Sequence, residues 1–283
     1  MTSTDKTRIA RDLYSRKGRF ILELIQNVED CEFNHTDGPP SISFEVSPLE
    51  VIVESNQDGF IQRDVKHICR TGRSWKRGQL GYVGDKGIGL KSVFMVASRV
   101  EIQSNAFSFS LTYNGGHTPE ERLGMITPIV ENHPISPSER PLTRMTLTLN
   151  GETQYSALSS DFEAIPNTLL LFLSKVKQIR FKFHPPDEER SFARTFRIST
   201  ETGGIKCITL DVDEFGGSLR WRYLVRKTLL LGLPNVPARL GINKCEAVLA
   251  FPIDEQGFPS TRTGYDIYAF LPVCTVGFNV SCL

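Results

Sequence analysis

The chain lacks an excess of charge of either sign: 33 Lys and Arg against 32 Asp and Glu leave a net charge of +1 at pH 7. No bulk electrostatic pull toward nucleic acid or an acidic membrane surface follows from that balance. Cysteine pairing is also missing. The six cysteines, at positions 31, 69, 207, 245, 274 and 282, show no C-x-x-C spacing, and with five scattered histidines they carry no metal signature. Most of them read as small buried thiols, in a reducing compartment. There is no long apolar run. The longest uncharged stretch, from Ile267, is broken by Pro272 and falls short of the ~20 residues a bilayer span needs. Met1 to Ser15 carries Asp5, Lys6, Arg8, Arg11 and Asp12 without an apolar segment, so no signal peptide is expected. An intracellular location, cytoplasmic or nuclear, and no membrane partner follow as expectations. No internal repeat or low-complexity tract appears, and 40% hydrophobic with 23% charged residues fits a globular chain of one large or two modest domains.

What is present begins with Gly84-Asp-Lys86-Gly87-Ile88-Gly89-Leu90-Lys91-Ser92, which runs directly into apolar Val93 to Ala97. Glycines at this spacing leave backbone N–H groups bare, and a phosphate can settle against such a turn and a helix N-terminus. Two familiar phosphate loops are excluded. A P-loop needs Gly immediately before Lys-Ser, and Leu90 stands there; a dinucleotide fingerprint needs G-x-G-x-x-G, and the order here is reversed.

A second element lies about sixty residues upstream. Residues ~8–30 read as one amphipathic helix with Ile9, Leu13, Phe20, Ile21, Leu24, Ile25 and Val28 as its apolar stripe. Glu23, Asn27 and Asp30, at i, i+4 and i+7, share one face at the edge of that stripe. A Glu can polarise a water, an Asn carbonyl can hold a hard cation, and an Asp can accept from a hydroxyl or a metal-bound water. Taken alone, such a triad is equally a solvated helix face. Its pairing with the glycine run favours a cleft.

The stretches Leu22 to Asp30 and Gly81 to Phe94 resemble the GHKL ATPases (gyrase, Hsp90, histidine kinase, MutL), and within them the sacsin and NO VEIN type of Hsp90-like ATPase domain. The resemblance continues through Val96 to Ser104, Phe107 to Leu111, Thr143 to Leu149 and Ile267 to Val273. It implies an α+β fold, an Hsp90-like (Bergerat) ATPase sandwich in which helices cover one face of a mixed, largely antiparallel sheet, with ATP beneath a mobile lid. It further implies Glu23 as general base, Asn27 as Mg²⁺ ligand and Asp30 as a third polar group near the nucleotide. Gly84, Gly87 and Gly89 match phosphate-contacting glycines. Lys86, Ile88, Leu90, Lys91 and Ser92 belong to the same contact run, with Lys91 facing phosphate charge, and Thr143 helps to hold the adenine end. One departure stands out. The family's Asp-x-Gly-x-Gly segment corresponds to Glu54 to Phe60 here, where Gly59 aligns, the expected Asp falls near Ser55 or Asn56, and Asp58 is displaced. Asn56 is a candidate adenine contact; Asp58 is either another or a turn residue before Gly59.

Strands are expected over Ile42–Val46 and Leu49–Val53 about a Ser47-Pro48 turn, over Ala106–Tyr113 and over Leu142–Asn150. A short helix is expected at Val65–Arg70, and an irregular insertion over Gly115–Arg140. The cations Arg70, Arg73, Lys76 and Arg77 around Trp75 read as a solvated lid, against a nucleic-acid patch. A boundary at Asn150 separates an ATP-binding domain, 1–150, from a second and incomplete α/β domain, 151–283. In the latter a buried helix is expected at Leu169–Val176, strands at Ile179–Phe183, Phe196–Ile198, Ile205–Val212 and Arg220–Val225, and a strand pair, Cys245–Ile253 with Tyr265–Pro272. In the resembling family the chain continues past Phe278, which leaves a fragment, a short paralogue or a truncated gene model as readings. The function so expected is Mg²⁺-dependent ATP binding with slow hydrolysis that drives a conformational switch, acting on a protein partner or client or through an ATP-dependent dimer. The alternatives are a nucleotide switch without hydrolysis and a protein-interaction scaffold.

Overall fold

A computed structural model describes residues 18–69, 90–113, 128–131, 143–151, 153–186, 190–213, 216–232, 244–260, 265–269, 271–276 and 281–282; beyond residue 260, and at positions 67, 69 and 91, it describes the backbone alone. Among the described residues, fourteen strands form one sheet. In chain order they are β1 (Ser41–Val46), β2 (Glu50–Ser55), β3 (Ala97–Ser104), β4 (Phe107–Thr112), β5 (Pro128–Val130), β6 (Thr143–Leu149), β7 (Gln178–Phe183), β8 (Phe192–Thr200), β9 (Ile205–Val212), β10 (Gly217–Leu231), β11 (Lys244–Ile253), β12 (Tyr265–Ala269), β13 (Leu271–Val276) and β14 (Ser281–Cys282). Their spatial order is β13-β12-β14-β11-β10-β9-β8-β7-β1-β2-β6-β3-β4-β5. Neighbours run antiparallel except β1 with β7 and β12 with β14. Among the described residues the helices are α1 (Arg19–Glu29), α2 (Gln62–Cys69), α3 (Tyr155–Glu163) and α4 (Leu169–Phe172), with 3₁₀ turns over Leu90–Met95 and Thr202–Gly204.

The period-2 pattern explains the central strands. In β1 and β2 every second residue is buried, Ile42, Phe44 and Val46 opposite Val53, Val51 and their neighbours. The Ser47 hydroxyl closes the connection by donating to the Glu50 carbonyl at 2.9 Å and accepting from the Glu50 amide at 3.1 Å. Helix α1 buries Phe20, Ile21, Leu22, Leu24, Ile25 and Val28, an apolar stripe at helical spacing. The expected residues 8–17 of that helix lie outside the described residues.

The sheet runs through the boundary expected at Asn150 without a break. Pairing of β1 with β7 starts where the Pro40 carbonyl accepts from Lys177 N and Gln178 N. Phe162 of α3 packs its ring on Phe20 of α1, on Phe44 of β1 and on Phe181 and Phe183 of β7, with centroids 6.0, 5.3, 5.6 and 6.5 Å apart. Residues on both sides of position 150 thus share one core.

Two expectations are corrected. The helix expected over Leu169–Val176 ends at Phe172, and Leu173 is already extended. The Glu29 carboxylate explains the stop: it accepts from the amides of Ser174 (2.6 Å), Lys175 (2.9 Å) and Val176 (2.9 Å), groups that a continued helix would have used internally. The apolar stretch Tyr265–Pro272 does not pair with β11. It is split between β12 and β13, which pair with each other, while β11 pairs with β10 and β14. The Gln256-Gly257 turn closes locally instead, with the Asp254 carboxylate accepting from Gln256 N and Phe258 N. Within the insertion expected over Gly115–Arg140, β5 adds an edge strand beside β4.

Candidate functional site

A cavity of about 450 Å³ lies between the helices and one end of the sheet, within the roughly 300–1,000 Å³ usual for small-molecule sites. Helix α1 contributes Leu24, Asn27 and Val28, and the chain just after it adds Asp30, Cys31 and Glu32. The sheet contributes Val53 and Ser55 from β2 with Thr143 and Met145 from β6. Residues 57–61, Arg63, Asp64 and Ile68 form a third wall, and Leu90 of the 3₁₀ turn a fourth.

The floor follows from strand register. Met145 lies between Val53 and Ile102, and Thr143 between Ser55 and Ser104, so an apolar row gives way to a row of hydroxyls at the strand ends. Thr143 Oγ1 and Ser104 Oγ are 2.6 Å apart, and Ser104 Oγ accepts from Phe60 N at 2.8 Å. That bond ties the 56–61 segment to the sheet.

Gly59 has φ +84°, and a Cβ built there would lie 2.2 Å from Asn105 Nδ2. Both the backbone conformation and the close approach therefore require glycine. Asn105, itself at φ 52° in the β3–β4 turn, donates to the Asp58 carbonyl at 2.9 Å. The Asp58 carboxylate is a latch on the opposite segment: Oδ2 accepts from Asn34 N and Asn34 Nδ2, each at 3.0 Å, and Oδ1 from His35 N at 2.8 Å. Burial pushes this carboxyl up, but the Asn34 and His35 donors outweigh it and hold it below its ordinary value.

Of the residues singled out in the sequence, Asn27, Asp30, Asp58, Gly59, Leu90 and Thr143 line this one cavity. Glu23, Asn56 and Ser92 are not among its lining residues. The Glu23 carboxylate accepts from Arg19 Nε at 3.1 Å, one turn back on α1. Asn56 has both ends of its amide engaged, Oδ1 by Ser41 N at 2.8 Å and Nδ2 by Pro39 O at 2.9 Å, so it braces the turn into β1 rather than facing a ligand. Gly84, Lys86, Gly87, Ile88 and Gly89, and the side chain of Lys91, lie outside the described residues. Leu90, bonded to the last glycine of that run, does line the cavity.

Sequence reasoning missed Gln57, which is buried and lines the cavity. The signal was available: Val51, Val53, Ser55 and Gln57 continue a single period-2 face past the end of β2. His35, Arg63 and Asp64 on the rim carried no pattern. The Asp64 carboxylate accepts from Ile61 N at 3.0 Å and shapes the start of α2.

No group of three or more His, Cys, Asp or Glu among the described residues can hold a metal ion on its own. The donor set suits a hard cation that takes most of its ligands from phosphate and water. Asn27 offers one carbonyl oxygen to the cavity and makes no side-chain hydrogen bond among the described residues.

No protein-family model matches the chain. It is 28% identical over 293 residues to Protein NO VEIN of Arabidopsis thaliana, an alignment that covers 96% of this chain. The chain is related to NO VEIN. It spans about a tenth of that protein's length, since the alignment covers 10% of NO VEIN. The match takes in both the cavity and the strands beyond position 150. The name NO VEIN states no chemistry. Among the described residues no helix is long and apolar enough to cross a membrane.

Proposed function

We propose that the chain binds ATP with Mg²⁺ in this cavity and hydrolyses it slowly to ADP and phosphate, as the switch of an Hsp90-like α+β ATPase sandwich. One observation carries the reading: Asn27 and Asp30 of the helical wall, Thr143 of the sheet floor and Leu90 at the end of the glycine run border a single cavity. Apolar Leu24, Val28, Ile68 and Met145 suit a base, and the Asn27 edge suits the phosphate side. Bound Mg²⁺ supplies charge neutralisation at the phosphate oxygens, with the Asn27 side-chain oxygen as its protein ligand. The family resemblance would have the amides of Gly84, Gly87 and Gly89, which lie outside the described residues, donate to the phosphates. Glu23, on the same face of α1 as Asn27, takes the proton of the attacking water. To do so it leaves Arg19, an exposed i,i+4 pairing worth only about 0.3–0.5 kcal/mol.

Calorimetry with Mg-ATP, beside a phosphate-release assay, tests the reading. Asn27→Ala is expected to weaken Mg-ATP binding at least about tenfold, and Glu23→Ala to keep binding and abolish turnover. A flat trace at millimolar Mg-ATP would remove the proposal and leave a protein-interaction scaffold. A second reading, a nucleotide switch that does not hydrolyse, is favoured by the Glu23–Arg19 pairing outside the cavity lining. Binding without phosphate release in the parent chain selects it.

A further inference from the structure

Three nearly buried polar side chains line the cavity: Ser55, Gln57 and Thr143, which are 4%, 2% and 2% exposed. Buried polar groups are ordinarily satisfied within the protein. The residues flanking Gln57 obey that rule, Asn56 through Ser41 and Pro39, Asp58 through Asn34 and His35. Gln57 forms no such bond. Neither its carboxamide nor the Ser55 hydroxyl has a hydrogen-bond partner among the described residues, and neither is among the enclosed polar atoms without a partner, where Thr36 Oγ1 stands, so both are open to the cavity they line.

Thr143 points the same way. Ser104 Oγ already accepts from Phe60 N, and its other contact is Thr143 Oγ1. Ser104 is fully buried, so the arrangement that leaves no orphaned proton has Ser104 donating to Thr143. The Thr143 hydroxyl proton is then free to face the cavity. An uncharged floor of one carboxamide and two hydroxyls, beside walls of Leu24, Val28 and Met145, is complementary to a flat neutral heterocycle rather than to phosphate or metal.

We infer that Gln57 reads the purine base of the bound nucleotide, and that it accepts 6-amino and 6-oxo purines alike. This rests on the nucleotide reading above. A carboxamide meets the amino edge of adenine with its oxygen on the amine and its NH₂ on the adjacent ring nitrogen. Turned end for end, it meets a 6-oxo purine with its NH₂ on the carbonyl and its oxygen on the ring N–H. No hydrogen bond among the described residues fixes which end of the Gln57 amide faces the ligand, so both orientations are open. A carboxylate at this place accepts only: it can take the amine of the one base or the ring N–H of the other, but sets an acceptor against an acceptor at the second contact of both.

The test is calorimetry on the full chain with Mg-ATP and Mg-ITP at pH 8, for the parent, Gln57→Glu and Gln57→Leu, with circular-dichroism melts as fold controls. The parent is expected to bind both nucleotides within about tenfold of each other; Gln57→Leu and isosteric Gln57→Glu are each expected to weaken both roughly tenfold, the carboxylate because it keeps one contact and sets an acceptor against an acceptor at the other. If Gln57→Leu does not fold, Gln57→Glu alone decides. A parent that binds both nucleotides but prefers ATP by more than tenfold overturns the inference and leaves nucleotide binding standing. So does a Gln57→Glu protein that binds both nucleotides as tightly as the parent. A parent that binds neither nucleotide overturns the proposed function, and the inference falls with it.

Discussion

The strands about β2 and β6 and those about β10 and β11 belong to one sheet, yet their surfaces differ. In β1 and β2 burial alternates without exception, because α1 and α3 lie on that face and share its core. Strand β10 buries Tyr223 and Val225, but leaves Leu219, Leu229, Leu230 and Leu231 at 57%, 56%, 46% and 72% exposure. Its last residues outrun β9, whose pairing ends at Leu224, and continue with β11 alone. A sheet face becomes a binding site where helices are laid across it and the apolar rows stop short of the strand ends. The hydroxyls of Ser55, Thr143 and Ser104 begin where the Val53, Met145 and Ile102 row stops.

The largest effect is expected at the joint between the helix-covered strands and β7, the strand that leads toward β8 to β11. Phe162 touches four aromatic rings drawn from both sides of position 150. Phe162→Ala should destabilise the chain by about 3–5 kcal/mol, in one cooperative urea transition. Two separate transitions would show that the halves fold independently and would break the comparison as drawn.

An intermediate effect is expected at Glu29, whose carboxylate holds the Ser174, Lys175 and Val176 amides against the end of α1. Glu29→Ala leaves those donors without their acceptor and should cost about 1–3 kcal/mol. Hydrogen exchange is expected to rise at residues 174–176 first. Unchanged protection there would mean the clamp contributes nothing.

The smallest effect is expected on the uncovered arm. Leu231→Ser should change stability by no more than about 0.5 kcal/mol. A loss comparable with that of Phe162→Ala would show that this leucine is covered in solution.

Much of the architecture was legible in the residues. The alternation in Ile42 to Val46 and the 3.6-residue spacing of Phe20 to Val28 are local patterns that report one buried face, and both elements appear where they were expected. Strand Ile205–Val212 agrees to the residue. Leu169 to Val176 misled because an apolar run fits a buried helix and a buried extended segment equally well. The choice was made by Glu29, about 145 positions away in sequence. Asn56 and Gln57 misled each other in the same manner. Both are amides in one short segment, and only the continuation of the β2 face turns Gln57 toward the cavity and Asn56 toward Pro39 and Ser41.

By itself, the order of residues determined helix α1 and the strands β1, β2 and β9, and that Asn27, Asp30 and Thr143 are polar at the margin of an apolar surface. Tertiary structure alone decided that these margins meet around one cavity, that Glu23 turns to Arg19, and that Gln57 lines the cavity with no side-chain partner among the described residues. Periodicity is a property of neighbours along the chain. Convergence is set by strand register and by contacts between residues far apart in sequence, which no local pattern encodes.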